Sequence, residues 1–195
     1  PGRRDPHLRA SWGLSDDALA VIHVGRFAPE EHLGLAVRAF RAVQATRPDA
    51  RFVWIGDGPM RQELAQSNPD FVFLGMRRGE DLARCFASGD LFLFPSLTET
   101  FGNVTVEALA SGVPTVAFDY GAAREHIRHE RNGAVAPFGD PESFVHHALI
   151  LADGQWRIAG QDEVRQAGQA EIHGAARRGR LLHEACVVVP DLEID

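Results

Sequence analysis

Two glutamates, Glu99 and Glu107, stand eight positions apart in the run Glu99-Thr100-Phe101-Gly102-Asn103-Val104-Thr105-Val106-Glu107. The apolar stretch Leu91-Phe92-Leu93-Phe94 before it reads as a short buried strand. The stretch from Asn103 through Ala108, Leu109 and Ala110 reads as a helix closed by Gly112. The order strand, loop, helix puts Glu99 in the loop and Glu107 about a turn or more into the helix. Unpaired backbone N–H groups at such a helix start suit an anion, phosphate above all. Two carboxylates beside a phosphate site are electrostatically odd unless something donates to them. The hydroxyls of a sugar and of a ribose would do so, while the helix start holds the phosphates. The plainer reading is a pair of solvated surface charges, and the neighbouring features decide against it.

Three further segments end in glycine with chemistry attached. Val24-Gly25-Arg26 closes one apolar run with a cation, Gly56-Asp57-Gly58-Pro59 closes a second with a tight turn, and Gly75-Met76-Arg77 closes a third. Each alone is a weak signal, and Gly-Asp-Gly-Pro taken singly is only a turn. Asp57 is expected to close that turn through its own side chain. His23, inside an apolar run, reads as a core residue, and Arg77-Arg78 as loop arginines open to solvent.

These segments need elements to position them, and the chain supplies an alternation. Strands are expected at Leu19–Gly25, Arg51–Gly56, Phe71–Leu74, Leu91–Phe94, Val113–Phe118 and Gly133–Ala136. Between them lie helical patterns: one opened by Pro29-Glu30-Glu31 and carrying Leu35, Ala36, Ala39, Phe40 and Val43; one ending near Gln66; then Gly79–Ser88, the Asn103 helix and Gly121–Arg128. A last helix has Asp140 as N-cap and Pro141 at its first position. The pattern predicts an α/β fold: a single Rossmann-like domain, with a parallel sheet covered by helices on both faces. Ligands in such folds bind beyond the carboxyl ends of the strands. The domain is expected over residues 19–152, after a polar, basic entry segment (1–18) that reads as a linker. Glycine-interrupted helices (153–188) and a frayed tail (189–195) follow.

Composition narrows the classes. The 195 residues carry a net charge of -7, which argues against a broad nucleic-acid surface. No run approaches the roughly 18 apolar residues of a spanning helix, and no basic leader precedes an apolar segment. Cys85 and Cys186 have neither partner pattern nor ligand spacing, so both are expected as reduced thiols in a cytoplasmic protein. The nine histidines are scattered, and no metal site is expected.

Taken together, the motifs resemble the carboxyl-terminal domain of the family 4 retaining glycosyltransferases, which have the two-domain GT-B architecture. The resemblance runs from about Ala20 to Ala152. It rests on Val24-Gly25-Arg26-Phe27-Ala28-Pro29-Glu30, Gly56-Asp57-Gly58-Pro59, Phe94-Pro95-Ser96, Glu99-Thr100-Phe101-Gly102-Asn103 and Val106-Glu107-Ala108-Leu109-Ala110-Ser111-Gly112-Val113-Pro114. Asp119-Tyr120-Gly121 through Glu125, and Asn132-Gly133, follow the same pattern. The resemblance implies a nucleotide-diphosphate sugar as donor, of the UDP, GDP or ADP type, with no cofactor. It implies that Arg26, beside Gly25, meets the diphosphate and Glu99 the donor sugar, both catalytic; that Glu107 holds the ribose; that Phe101 and the backbone of Gly102, Asn103 and Val104 line the donor; and that main chain near Met76 and Arg77 meets the base. The acceptor would be held by an amino-terminal domain of the same protein, absent from these residues, and any peripheral membrane contact would be made through that domain.

One position departs from the pattern. The family's phosphate-site lysine follows Glu30, and here Glu31 stands there, followed by His32. A non-catalytic sugar-nucleotide-binding domain therefore stays open beside the transferase, as does a GT-B-like nucleotide-sugar epimerase. A nicotinamide dehydrogenase would need Gly-x-Gly-x-x-Gly after the first strand, and Gly25-Arg26-Phe27 does not provide it.

Overall fold

Apolar runs of four or five residues, each ended by a turn, are too short for helices and have no polar face, so they form strands buried on both sides. The computed structural model describes residues 4–15, 17–98, 103–129 and 131–154. Its strands are β1 (Ala20–Val24), β2 (Arg51–Ile55), β3 (Val72–Gly75), β4 (Leu91–Phe94), β5 (Thr115–Phe118) and β6 (Gly133–Ala136). They form one sheet in the order β3-β2-β1-β4-β5-β6. Every pairing is parallel. The chain leaves β1 in one direction across the sheet and β4 in the other, so the switch point lies between β1 and β4. In open α/β sheets ligands bind at such a point, beyond the carboxyl ends of the strands.

The helices are α1 (Pro6–Ser11), α2 (Leu33–Thr46), α3 (Arg61–Ser67), α4 (Gly79–Ser88), α5 (Asn103–Ala110), α6 (Gly121–His126) and α7 (Pro141–Ala152). Strand alternation splits the core in two. Val21, Trp54, Leu93 and Val116 pack with Phe40 and Val43 of α2 and with Phe144 and Ala148 of α7. Ile22, Val53, Phe92 and Ala117 pack on the other face with Phe86 of α4, Ala108 and Leu109 of α5 and Ala123 of α6. The α7 start is as expected, with the Asp140 carboxylate accepting from Glu142 N and Ser143 N at 3.1 Å each.

Several boundaries differ from expectation. Pro29–Glu31 winds into a 3-10 turn, and α2 begins only at Leu33, because His32 takes a left-handed conformation (φ 51°) that breaks the helix between them. Val113 and Pro114 precede β5 rather than joining it, and α6 stops at His126. Within the entry segment a helix forms: Asp5 caps α1 through His7 N and Leu8 N, Pro6 takes the first position, and Trp12 is buried beside it. The helices and tail expected after residue 154 lie outside the described residues.

Candidate functional site

The carboxyl end of β1 is held from beneath by the turn after β2. Gly25 N donates to Ile55 O (3.1 Å), Phe27 N to Asp57 O (2.9 Å) and Met60 N to Phe27 O (3.0 Å). Phe27 is fully buried, so Arg26 projects from a segment pinned on both sides. The two glycines of Gly56-Asp57-Gly58 make this approach possible. A Cβ on Gly56 (φ 139°) would lie 1.9 Å from Gly25 O, and one on Gly58 would lie 2.5 Å from Phe27 O. Asp57 closes the turn, as its side chain suggested, accepting from Gly58 N at 2.8 Å. The turn also ties to the next strand, because Gly56 N donates to Gly75 O (3.0 Å). The ends of β1, β2 and β3 thus form one hydrogen-bonded floor.

Arg26 stands on that floor, 64% exposed, paired with the Glu30 carboxylate one turn along. An exposed pair of this kind contributes little to stability and can be exchanged for a better anion. Glu31 is half-buried, and no ion pair to it is found among the described residues. The α2 N-terminus has no side-chain cap, and its first turn is closed by the backbone, with Leu35 N donating to His32 O at 2.8 Å. His23 is a core residue: its Nδ1 lies 2.9 Å from Leu93 O, and burial lowers its pKa to about 4. Its Nε2 lies directly below Gly25, 3.5 Å from where a Cβ would be.

At the β3 end, Met76 and Arg77 are exposed, and Arg77 donates to Met76 O at 3.1 Å. Sequence reasoning missed Arg61. Its guanidinium bonds Asp57 at 3.2 Å, and both its terminal nitrogens lie 3.7–3.8 Å from where a Cβ on Gly75 would be. The only sequence signal for it was the i,i+4 spacing from Asp57.

Across the switch point, α5 starts at Asn103, with Val104 half-buried. Glu107 follows one turn later on the face of Asn103. Its side chain reaches solvent, yet the protein crowded along its inner side desolvates the carboxyl and raises its pKa. A carboxylate so placed gains from hydroxyl donors more than one in open water does. Glu99, Phe101 and Gly102 lie outside the described residues. Among the described residues, no group of three or more His, Cys, Asp or Glu could hold a metal ion, and no helix is long and apolar enough to cross a membrane.

The sheet order and its switch point define a Rossmann-like domain of the GT-B type, with an exposed cation after β1, and a helix start and a desolvated carboxylate after β4. The profile of the family described as "Glycosyl transferases group 1" matches residues 18–153, and the chain belongs to that family. It is 42% identical over 134 residues to a GDP-mannose-dependent alpha-mannosyltransferase of Mycolicibacterium smegmatis, a match covering 68% of this chain and 34% of that protein. Among solved structures, it resembles the C-terminal domain of a glycosyl transferase group 1 family protein from Francisella tularensis. The TM-score there is 0.73 at 17% identity, over 88% of this chain and 94% of that one. It also resembles the pneumococcal O-GlcNAc transferase GtfA, solved with UDP and GlcNAc. That match has a TM-score of 0.68 at 22% identity, over 88% of this chain and 38% of that one. The chain spans between 25% and 43% of the length of the first three curated relatives it matches.

Proposed function

We propose that this chain is the donor-binding domain of a retaining, metal-independent glycosyltransferase. The observation that carries the reading is strand adjacency: Arg26, on its pinned segment, follows β1, and the α5 start with Glu107 follows its neighbour β4, across the switch point. The donor would be a nucleoside-diphosphate sugar, and the mannosyltransferase relative favours a GDP-sugar. The base would lie toward Met76, Arg77 and Arg61, the diphosphate at Gly25 and Arg26, and the ribose on Glu107. The sugar would lie on Glu99, with Phe101, Gly102, Asn103 and Val104 along the donor. No cofactor takes part. The acceptor would be held chiefly by an amino-terminal domain of the same protein, which works in the cytoplasm and makes any membrane contact.

In the reaction, the bond from the anomeric carbon to the diphosphate oxygen breaks and a bond to an acceptor oxygen forms. The acceptor's hydroxyl proton passes to the departing diphosphate oxygen, and the nucleoside diphosphate leaves. Negative charge grows on the leaving oxygen, so a fixed guanidinium and oriented amides stabilise the transition state more than the ground state. The Glu30 pair would open as Arg26 turns to the diphosphate, exchanging one charge-assisted bond for another.

Glu31 favours a second reading, a domain that binds the sugar nucleotide without transferring. A carboxylate where a lysine is expected repels the diphosphate. At about 4 Å and an effective dielectric near 20 the interaction is roughly 4 kcal/mol, less in an open crevice with salt. Calorimetric titration with GDP, UDP, ADP and NAD tests both readings. The transferase reading expects a nucleoside diphosphate to bind and NAD not to. Preference for NAD would sink it. In the same titration, Glu31→Lys should tighten diphosphate binding tenfold or more if Glu31 faces the phosphates. Unchanged affinity would remove the support for the second reading.

A further inference from the structure

Among the described residues, three large hydrophobic side chains are exposed: Met76 at 54%, Tyr120 at 42% and Phe138 at 54%. All three follow strands, β3, β5 and β6, so all lie at the carboxyl edge where the donor is placed. Met76 lies at the proposed base end. Tyr120 and Phe138 form a patch of their own, with ring centroids 5.3 Å apart and planes at 52°.

That patch is braced. Phe138 packs against the buried ring of Phe118 at 6.3 Å. Asp119 N donates to Ala136 O at 2.7 Å, joining the loop after β5 to the end of β6, and Tyr120 N donates to Phe118 O at 2.7 Å. Beside the rings, Arg124 Nε bonds the Asp119 carboxylate at 3.0 Å and a second guanidinium nitrogen bonds Asp119 O at 2.6 Å, with both side chains exposed. Two tilted aromatic faces with a carboxylate and a guanidinium at their rim make a surface that is apolar in the middle and hydrogen-bonding at the edge. A pyranose ring has the matching character: C–H groups on one face and hydroxyls around the perimeter.

The order of strands says which sugar. The proposed donor runs along the edge from its base at β3, through its diphosphate at β1, to its sugar at the β4–α5 loop. The strands β5 and β6 lie next in that direction, roughly 5 and 10 Å further along the sheet. The patch therefore adjoins the sugar end of the donor, where an acceptor has to arrive. We infer that Tyr120 and Phe138 form an acceptor subsite for a carbohydrate ring, with Asp119 and Arg124 as its polar rim. This inference rests on the donor reading above.

Other occupants fit less well. A lipid surface would favour a cationic rim, whereas the chain carries a net charge of -7 and the rim arginine is already paired with Asp119. A stable protein interface needs roughly 800 Å² per partner. Two half-exposed rings offer only about 100 Å² each.

Saturation-transfer NMR on this chain with a panel of methyl pyranosides at millimolar concentration tests the inference, with GDP titrated in parallel. The expected result is saturation of the ring C–H protons of at least one pyranoside. It should fall at least fivefold in the Tyr120→Ala/Phe138→Ala double variant and persist in Tyr120→Phe, while GDP affinity stays the same in all three. If GDP binds but no pyranoside is saturated, or the double variant saturates as well as the wild type, the acceptor subsite is refuted and the donor reading survives. Vesicle binding or dimerisation that depends on the two rings, without pyranoside saturation, would assign the patch to a membrane or a second copy and refute the subsite equally. Failure of GDP and the other nucleoside diphosphates to bind would overturn the donor reading and the inference with it.

Discussion

Both edges of the sheet carry arginines paired with carboxylates, and what surrounds the pairs differs. At the amino edge, Arg9 is 1% exposed; it bonds Asp90 at 2.9 Å and Ser88 O at 2.8 Å, and also reaches Ala18 O. Asp90 accepts in addition from Arg4 and from Ala20 N at 2.8 Å. Every one of these bonds ties α1, β1 or the start of β4 to a neighbour, so the charges are consumed by the fold. At the carboxyl edge, among the described residues, Arg26 pairs with Glu30 and Arg61 with Asp57, all at 41–64% exposure. The same chemistry in solvent does little for stability and leaves the groups free to meet a ligand. The two edges therefore give opposite responses to the same kind of substitution, and that contrast can be broken or sharpened.

The largest effect is expected at the buried end. Arg9→Ala takes the buried partner from Asp90, which keeps Arg4 and Ala20 N, and orphans Ser88 O and Ala18 O. It should lower unfolding free energy by about 2–4 kcal/mol, while nucleotide affinity of the remaining folded protein stays unchanged. Arg26→Ala should do the reverse, leaving the denaturation midpoint nearly where it was. Urea unfolding of both variants checks this, and comparable destabilisation in the two would dissolve the distinction between the edges.

The next effect lies between the edges, at His23 in the middle of β1. Folding depresses its pKa from the usual 6.5 to about 4. Between those values the unfolded chain binds the extra proton and the folded one does not. The His23 contribution is therefore complete above pH 6.5 and is lost as pH falls, amounting to roughly 3 kcal/mol below pH 4. His23→Gln can still donate to Leu93 O but has no proton to take up. Its stability should fall less steeply than the wild type's between pH 6.5 and 4, and parallel curves would remove His23 from the acid response.

A smaller loss, but one felt in both properties, is expected at Gly56. Alanine there must displace Gly25 O, which a Cβ would approach to 1.9 Å, and must hold a φ of 139°. Strain and overpacking together should cost about 2–3 kcal/mol. Because the displaced segment carries Arg26, nucleotide affinity should fall as well. Loss of stability with affinity intact would show that the turn is only a structural closure.

The sequence displayed these two edges unequally. The carboxyl edge was legible because glycines mark where the chain must pass close or turn, and because Arg26, Asn103 and Glu107 sit at fixed offsets from strands that carry no polar face. The amino edge was hidden. The buried residue of α1 is an arginine, so its helix shows no apolar stripe, and its satisfaction by Asp90 spans 81 positions. The start of α2 is not legible, because proline and two acidic residues open a 3-10 turn as readily as an α-helix, and nothing local announces a left-handed histidine. Arg61 over Gly75 and Tyr120 against Phe138 are contacts between loops, set by strand order rather than by spacing. Of the expected donor residues, Glu99, Phe101 and Gly102 fall outside the described segments, and Gly25, Arg26, Met76, Arg77, Asn103, Val104 and Glu107 fall within them.

The central claim is that the carboxyl edge at the β1/β4 switch point holds a nucleoside diphosphate through Arg26. The most direct measurement is calorimetric titration of GDP into the wild type and into Arg26→Ala at low and high salt. The account predicts saturable binding to the wild type that weakens with salt. It also predicts affinity at least tenfold lower in the variant, as the loss of one charged hydrogen bond worth roughly 1.5–3 kcal/mol requires, with a shallower salt dependence. Equal affinity and equal salt dependence in the two proteins would contradict it.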